Sequence, residues 1–273
     1  MDFFTLNNGL EIPSIGLGVF RITDQQEAVN TVFQALKTGY RHIDTASIYG
    51  NEAAVGEGIQ RSGIDRRELF VTTKVWNEDQ RRGKVREAFE KSLGFLKLDY
   101  VDLYLIHWPV PRYFSATWKA LEKIYACGKA KAIGVSNFRI CDLELLKKIS
   151  GLIPAVNQVE ITPYFQQKEL LAYCMEQGIR LEAWGTFTAG QTNLLQEPVL
   201  KEIALRYGKT TAQIILRWNI QRGVVPLVKS SNSERQKQNL DIFDFELDKT
   251  AMEQIAAMDC GNRIGRDPVN SDF

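Results

Sequence analysis

Short β-rich runs of four to six residues alternate along this chain with longer stretches whose apolar positions return at helical spacing. The runs span residues 14–17, 41–44, 70–74, 101–106, 132–135, 155–159, 180–184 and 224–228. Between them the pattern predicts helices over 25–38, 52–61, 82–96, 115–125, 141–149, 167–177 and 210–221, with further helices at 197–207 and 248–258. Local punctuation supports several of these. Thr23 with Gln26 matches a capping box, Gly39 stands where a left-handed C-cap belongs, and Asn51 is placed to cap the second helix.

Such alternation, with no Pro/Gly/Ser linker or low-complexity tract, points to a parallel sheet, because parallel neighbours need a long crossover between them. Eight β/α units in one stretch predict an α/β fold of the closed (β/α)8 TIM-barrel kind, one domain over residues 1–273, with an open doubly wound sheet as the competing arrangement. Ahead of the first unit, residues 4–6 and 10–12 flank Asn7-Asn8-Gly9, a tight hairpin by its tolerance of positive φ, expected to plug one end of the barrel.

Composition narrows the function classes. Apolar residues make up 44% and charged residues 25%, a balance that supports a large core. Lys plus Arg number 34 against 33 Asp plus Glu, so no net field exists to hold a polyanion, and neither nucleic acid nor a membrane is an expected partner. The four cysteines, Cys127, Cys141, Cys174 and Cys260, show no short metal-ligand spacing and are expected to be buried, reduced thiols; no metal site is expected. Residues 1–9 lack a basic cluster followed by a long apolar run, and a cytoplasmic location is expected.

In a closed barrel, chemistry collects at the C-terminal ends of the strands. The second run ends in Asp44 and continues to Tyr49, the third ends in Lys74, and the fourth is followed by His107. Singly, these are a turn former, a rim aromatic, a strand-end lysine and a core histidine. Together they suit proton transfer: a phenol with an ordinary pKa of about 10 is a weak acid near neutrality unless a cation stabilises its phenolate. Lys74 can be that cation, Asp44 the carboxylate that keeps it charged, Tyr49 the proton donor, and His107 the group that orients a substrate oxygen.

Over nearly its whole length the chain resembles the aldo-keto reductases, most nearly the bacterial enzymes of the 2,5-diketo-D-gluconate reductase type. The likeness rests on Gly39-Tyr40-Arg41-His42-Ile43-Asp44-Thr45-Ala46 with Tyr49, Asn51-Glu52 and Val55-Gly56, and on Thr73-Lys74-Val75-Trp76. It continues through Asp99-Tyr100-Val101-Asp102-Leu103-Tyr104-Leu105-Ile106-His107-Trp108-Pro109, Gly134-Val135-Ser136-Asn137-Phe138 and Asn157-Gln158-Val159-Glu160. The resemblance places the family's catalytic tetrad on Asp44, Tyr49, Lys74 and His107.

Gly16-Leu17-Gly18 does not extend into the glycine fingerprint of a Rossmann dinucleotide site. The resemblance implies instead NADPH lying extended across the barrel mouth. Ser136, Asn137 and Gln158 would hold the carboxamide, Trp184 would stack on the nicotinamide, and Gly18, Val19, Phe20, Asp44 and Gly185 would make further contacts. Lys229, Ser230, Arg235, Gln238 and Asn239 would receive the adenosine 2′-phosphate and adenine. The chain departs from its relatives at Gly185-Thr186-Phe187-Thr188, at Val228 in place of a proline, and at Asn232 in place of a frequent basic residue.

Phe20, Trp76 and Trp108, with Tyr49 and His107, would line a substrate pocket. The loop after His107 and the tail over residues 260–273 are short, which suits small aldehydes, α-dicarbonyls or keto-sugar acids. The expected enzyme is therefore a monomeric NADPH-dependent carbonyl reductase. Two other readings stay open at this point: a barrel enzyme using Lys74 as a Schiff-base amine, and an NADPH-binding sensor with little turnover.

Overall fold

The computed structural model describes residues 2–270. Its strands are β1 (Phe3–Thr5), β2 (Glu11–Pro13), β3 (Gly16–Gly18), β4 (His42–Asp44), β5 (Phe70–Val75), β6 (Val101–Ile106), β7 (Ala130–Ser136), β8 (Val156–Glu160), β9 (Arg180–Trp184) and β10 (Val225–Val228). Strands β3 to β10 pair in sequence order, all parallel, and β10 closes on β3. The closed barrel, rather than the open sheet, is the observed fold.

The antiparallel β1–β2 hairpin turns at Gly9, where φ is +83°. Its Leu6 and Ile12 pack with Phe70, Leu103, Leu105, Ala132, Ala155, Val156 and Val225. Phe70, Val156 and Val225 open their strands, so the hairpin seals the N-terminal end and leaves the C-terminal mouth for chemistry. Gly134 is required inside this narrow barrel: a Cβ there would lie 2.5 Å from the Val156 carbonyl oxygen.

The helices between strands bury their apolar faces against the outside of the sheet in one continuous core. Gly39 caps the first helix (Gln25–Thr38) at φ 115°, its N–H returning to Ala35 and Leu36. At the other end of that helix the cap is Asp24, which accepts from the Glu27 N–H, and not the Thr23–Gln26 box. A carboxylate one residue later reaches the third N–H and adds a favourable charge at the helix N-terminus.

The helix predicted over 82–96 begins later, as Val85–Leu96, because Gly83 takes a left-handed φ of 65°, and a separate short helix, Asn77–Arg81, precedes it outside the predicted stretch. Asn51 precedes Glu52–Ser62, but its side chain makes no capping bond. It accepts from Thr45 Oγ1 at 3.0 Å and donates to the carbonyls of Val19 and Ile22, tying three loops together at the mouth. All four cysteines are free, yet only Cys174 is buried; Cys127, Cys141 and Cys260 are exposed, each lying at or beyond the edge of its helix or in the tail. Among the described residues no helix is long and apolar enough to cross a membrane. Of the tail over residues 260–273, positions 271–273 lie outside the described residues.

Candidate active site

Partners in register on parallel strands turn their side chains to the same face, so the pairing of strands decides which polar residues meet inside the barrel. Gly18 lies beside Asp44, Asp44 beside Thr72, and Lys74 beside Leu105. The fully buried Lys74 reaches across to Asp44, donating at 2.7 and 2.8 Å to its two oxygens and at 2.8 Å to the Thr45 carbonyl. Burial is the largest single influence on this amine and pulls its pKa down. The charges of Asp44, Tyr49 and Glu182 and the Asp44 hydrogen bond outweigh it, and the pKa stands above its ordinary value.

Tyr49 sits in a single 3-10 turn, Ser47–Tyr49, ended by left-handed Gly50. Ser47 Oγ donates to the Lys74 carbonyl at 3.0 Å, which pins that turn to the strand carrying the cation. The ammonium of Lys74 lies 5.2 Å from the Tyr49 ring centroid. His107 meets the same ring edge-on at 5.7 Å and Trp76 at 5.1 Å. The structure therefore brings all four members of the sequence-predicted group into one cluster at the mouth.

Their acidities differ in part from the sequence expectation. Burial raises the Tyr49 pKa, and the Asp44 charge adds to this, while the charge and hydrogen-bonding contact of Lys74 only oppose the rise. The net direction is upward, so the phenol is held protonated rather than made more acidic. Burial and the Lys74 charge hold His107 well below the ordinary imidazole range, and its Nδ1 is buried without a partner. The imidazole is neutral.

Two buried acids, Glu182 and Glu160, have no role in the sequence reading. Glu182, on β9 beside Gln158, is pushed up to about 8 by burial and by Asp44, against the Gln158 hydrogen bond and Lys74. Glu160, at the top of β8, accepts the backbone N–H groups of Ile264 and Gly265 at 2.7 and 2.8 Å. The available signal was a charged residue at an inward-alternating position of an otherwise buried strand, which is rare without a partner. A partner on a distant segment left no mark in either run.

The proposed carboxamide group is interlocked. Ser136 Oγ donates to the Gln158 carbonyl, Asn137 Nδ2 to the His107 carbonyl and Ser136 Oγ, and Gln158 Nε2 to both Asp44 and Glu182. Trp184 donates through Nε1 to Asn137 Oδ1 at 3.0 Å. Over its other edge runs the C-terminal tail, where a Cβ on Gly265 would lie 2.3 Å from Trp184 Cη2. The segment carrying Ile264 and Gly265 thus folds back on the mouth and is fastened there by Glu160.

Gly185 follows with φ 70°, and the divergent loop runs into a 3-10 turn, Thr188–Gly190, whose Thr188 and Ala189 take left-handed backbone. Phe20 is half exposed and meets the Tyr49 ring at 4.9 Å, whereas Val19 is core, with its N–H on the Asp44 carbonyl and its carbonyl on Asn51. Trp108 is buried beside His107, and Trp76 is half-buried. Asn232, where the sequence departs from a frequent basic residue, caps the helix Ser233–Leu240 by accepting from the Arg235 N–H. Lys229, Arg235 and Gln238 are exposed around that helix, Ser230 is half-buried, and Asn239 turns inward against Tyr40.

Comparison with known proteins agrees with this geometry. The aldo/keto reductase family profile matches residues 14–259. A glyoxal reductase of Bacillus subtilis is 52% identical over 98% of this chain and 96% of its own. Among solved structures, an aldo-keto reductase from a Medee basin deep-sea metagenome library superimposes with a TM-score of 0.96 at 46% identity, covering 99% of this chain and 100% of that one. A Bombyx mori aldo-keto reductase in complex with NADP does so with a TM-score of 0.93 at 36% identity, covering 100% and 97%. With a parallel barrel of eight strands and an Asp–Tyr–Lys–His cluster at its mouth, the chain belongs to the aldo/keto reductase family.

Proposed function

We propose that this protein reduces small aldehydes and α-dicarbonyl compounds with NADPH, and that Tyr49 donates the proton. The observation that carries the reading is the Lys74 ammonium, held by Asp44 on one side and facing the Tyr49 ring on the other, at the open end of a plugged barrel. The whole chain acts as one barrel domain and as a monomer.

The residues fit a pyridine dinucleotide. Lys229 and Arg235 make no ion pair among the described residues and flank the N-terminus of the helix Ser233–Leu240, a setting for a dianionic 2′-phosphate. Gln158 commits its side-chain nitrogen to two carboxyl groups, which leaves its side-chain oxygen, Oε1, for a carboxamide N–H. Trp184, fixed by Asn137 and by the tail, offers a flat face for the ring. NADPH supplies a hydride to the carbonyl carbon when bound.

The chain's own residues do the rest. Tyr49, kept protonated by its enclosure, hydrogen-bonds the carbonyl oxygen and passes its proton as negative charge develops there. Lys74 stabilises the phenolate left behind, and Asp44 keeps that cation charged inside the barrel. A proton on His107 Nδ1 would be a buried donor with no acceptor, so the neutral ring carries it on Nε2 and donates from there to the substrate oxygen. Phe20, Trp76 and Trp108 shield this exchange from water.

The test is Tyr49→Phe assayed with glyoxal, methylglyoxal, an aromatic aldehyde and diketogluconate, with NADPH and NADH. Turnover is expected to fall by about 10²- to 10⁴-fold, the usual worth of a general acid, while NADPH still binds. Wild-type protein that reduces none of these compounds, or a phenylalanine variant that keeps its turnover, overturns the reading and favours a cofactor-binding sensor.

A further inference from the structure

Beneath the residues assigned above lies a buried acid with no part in the mechanism. Glu182 is fully enclosed, level with Gln158 on β8 and Val225 on β10. Its Oε2 accepts from Gln158 Nε2 at 2.7 Å, and the same nitrogen donates to Asp44 Oδ2 at 2.8 Å. Two carboxyl groups therefore share one amide nitrogen, while the Lys74 ammonium donates to both oxygens of Asp44 and to the Thr45 carbonyl, and none of these bonds reaches Glu182.

The other oxygen of Glu182, Oε1, is buried with no hydrogen-bond partner and lies 3.6 Å from His42 Nε2. His42 cannot compensate a charge there. Burial and Lys74 drive it down to about 3, so it is neutral, with Nε2 shared with Thr72 Oγ1 and Nδ1 pressed towards Gly16. A carboxylate with one bare oxygen in such an interior is unfavourable, whereas a neutral acid is tolerated.

We propose that Glu182 is a positioning residue whose proton answers the charge of the nicotinamide: a neutral acid with reduced cofactor bound, and a carboxylate once the oxidised, cationic ring takes its place, with Gln158 as the connection. The proposal rests on the reading of Gln158 as the carboxamide contact. The groups that face Glu182 are His42 and Asp44 from β4, Lys74 from β5 and Gln158 from β8; β10 offers only Val225 and Leu227, and β3 offers Gly16.

With Glu182 neutral, the Lys74 and Asp44 charges cancel. A positive ring above Gln158 adds one uncompensated charge and favours ionisation of the neutral acid bonded to that side chain. Because Glu182 titrates near 8, this added charge moves its proton within the ordinary pH range. NADP⁺ binding is thus coupled to proton release, and NADPH binding is not. The 2′-phosphate is common to both forms, and its own titration cancels in their ratio.

The experiment measures dissociation constants of NADP⁺ and NADPH by quenching of tryptophan fluorescence between pH 6.5 and 9. The expected result is that NADP⁺ gains about tenfold over NADPH across this range, the effect of a one-unit displacement of one acid. Glu182→Gln, which freezes the neutral form, abolishes this gain, and Glu182→Asp retains it. An equal pH dependence in the glutamine variant, or none in the wild type, overturns the proposal. Gln158→Ala separates the underlying reading: if it leaves the affinity for NADPH unchanged, the carboxamide assignment fails, whatever Glu182 does. Should Glu182→Gln fail to fold, ¹³C-carboxyl NMR of the glutamate-labelled wild type decides instead. A resonance titrating near 8 must move to lower pH with NADP⁺ and stay with NADPH, and the absence of such a resonance overturns the proposal.

Discussion

Lys74 is tied to Asp44 by two hydrogen bonds of 2.7 and 2.8 Å, one to each carboxylate oxygen, although the lysine side chain has no contact with solvent at all. A cation in that position exists because of its partner. Asp44→Asn removes the partner and leaves the ammonium isolated, and breaking a buried pair in this way costs about 3–5 kcal/mol. Chemical denaturation should show that loss. The reductase rate should fall by about 10²-fold or more, because the amine that loses its proton no longer stabilises the Tyr49 phenolate. An asparagine variant as stable and active as the wild type would remove Asp44 from the scheme.

The pH dependence of stability has two windows with opposite signs. The chain has two histidines, and both have pKa values below their unfolded value of about 6.5, His42 near 3 and His107 well below 6.5. Below pH 6.5 the unfolded chain binds more protons at these rings, so each contributes a loss of about 1.4 kcal/mol per pH unit as pH falls. Glu182 acts the other way. Its folded pKa of about 8 exceeds the unfolded value, so its contribution is present at low pH and is lost as pH rises. Above about pH 7.5 the histidines are nearly silent, and from there to about pH 8.5 unfolding free energy should fall with rising pH in the wild type but not in Glu182→Gln. Urea titrations at three pH values in that window are sufficient.

Gly265 has no room for a side chain. A Cβ would lie 2.3 Å from Trp184 Cη2 and 2.9 Å from Glu160 Oε2, and Trp184 cannot swing away without giving up its bond to Asn137. Gly265→Ala should displace the tail or the indole. With overpacking at about 1–3 kcal/mol, NADPH binding should weaken about tenfold and the tryptophan emission should shift. Unchanged binding would mean that the indole face is not where the nicotinamide rests.

Cofactor preference should reside in Lys229 and Arg235. A charge-assisted hydrogen bond is worth about 1.5–3 kcal/mol, so alanine at either position should raise KM for NADPH by about tenfold or more and leave KM for NADH nearly untouched. Equal effects on both cofactors would place the 2′-phosphate elsewhere.

The sequence by itself determined the barrel, the hairpin plug and the four residues gathered at the mouth. These are legible because periodicity is local: side-chain alternation along a strand and apolar spacing along a helix are written in consecutive residues. Asp44, Lys74 and His107 fall at the ends of successive runs, and a parallel barrel brings such ends together. Smaller local conflicts were less legible. Asp24 outcompeted Thr23 as a cap, and Gly83 delayed the start of a predicted helix, each by a choice between neighbouring residues that the pattern leaves nearly balanced.

Only the tertiary structure decided the pairing of Glu182 with Gln158, which depends on the register of β8 against β9, and the fastening of Ile264 and Gly265 to Glu160 across about a hundred residues of chain. It also reversed the expected direction of Tyr49. The cation that favours the phenolate was visible in the sequence, but the enclosure that opposes it is the sum of every group packed around the ring. Solvation is a property of the whole fold, and no short run of residues contains it.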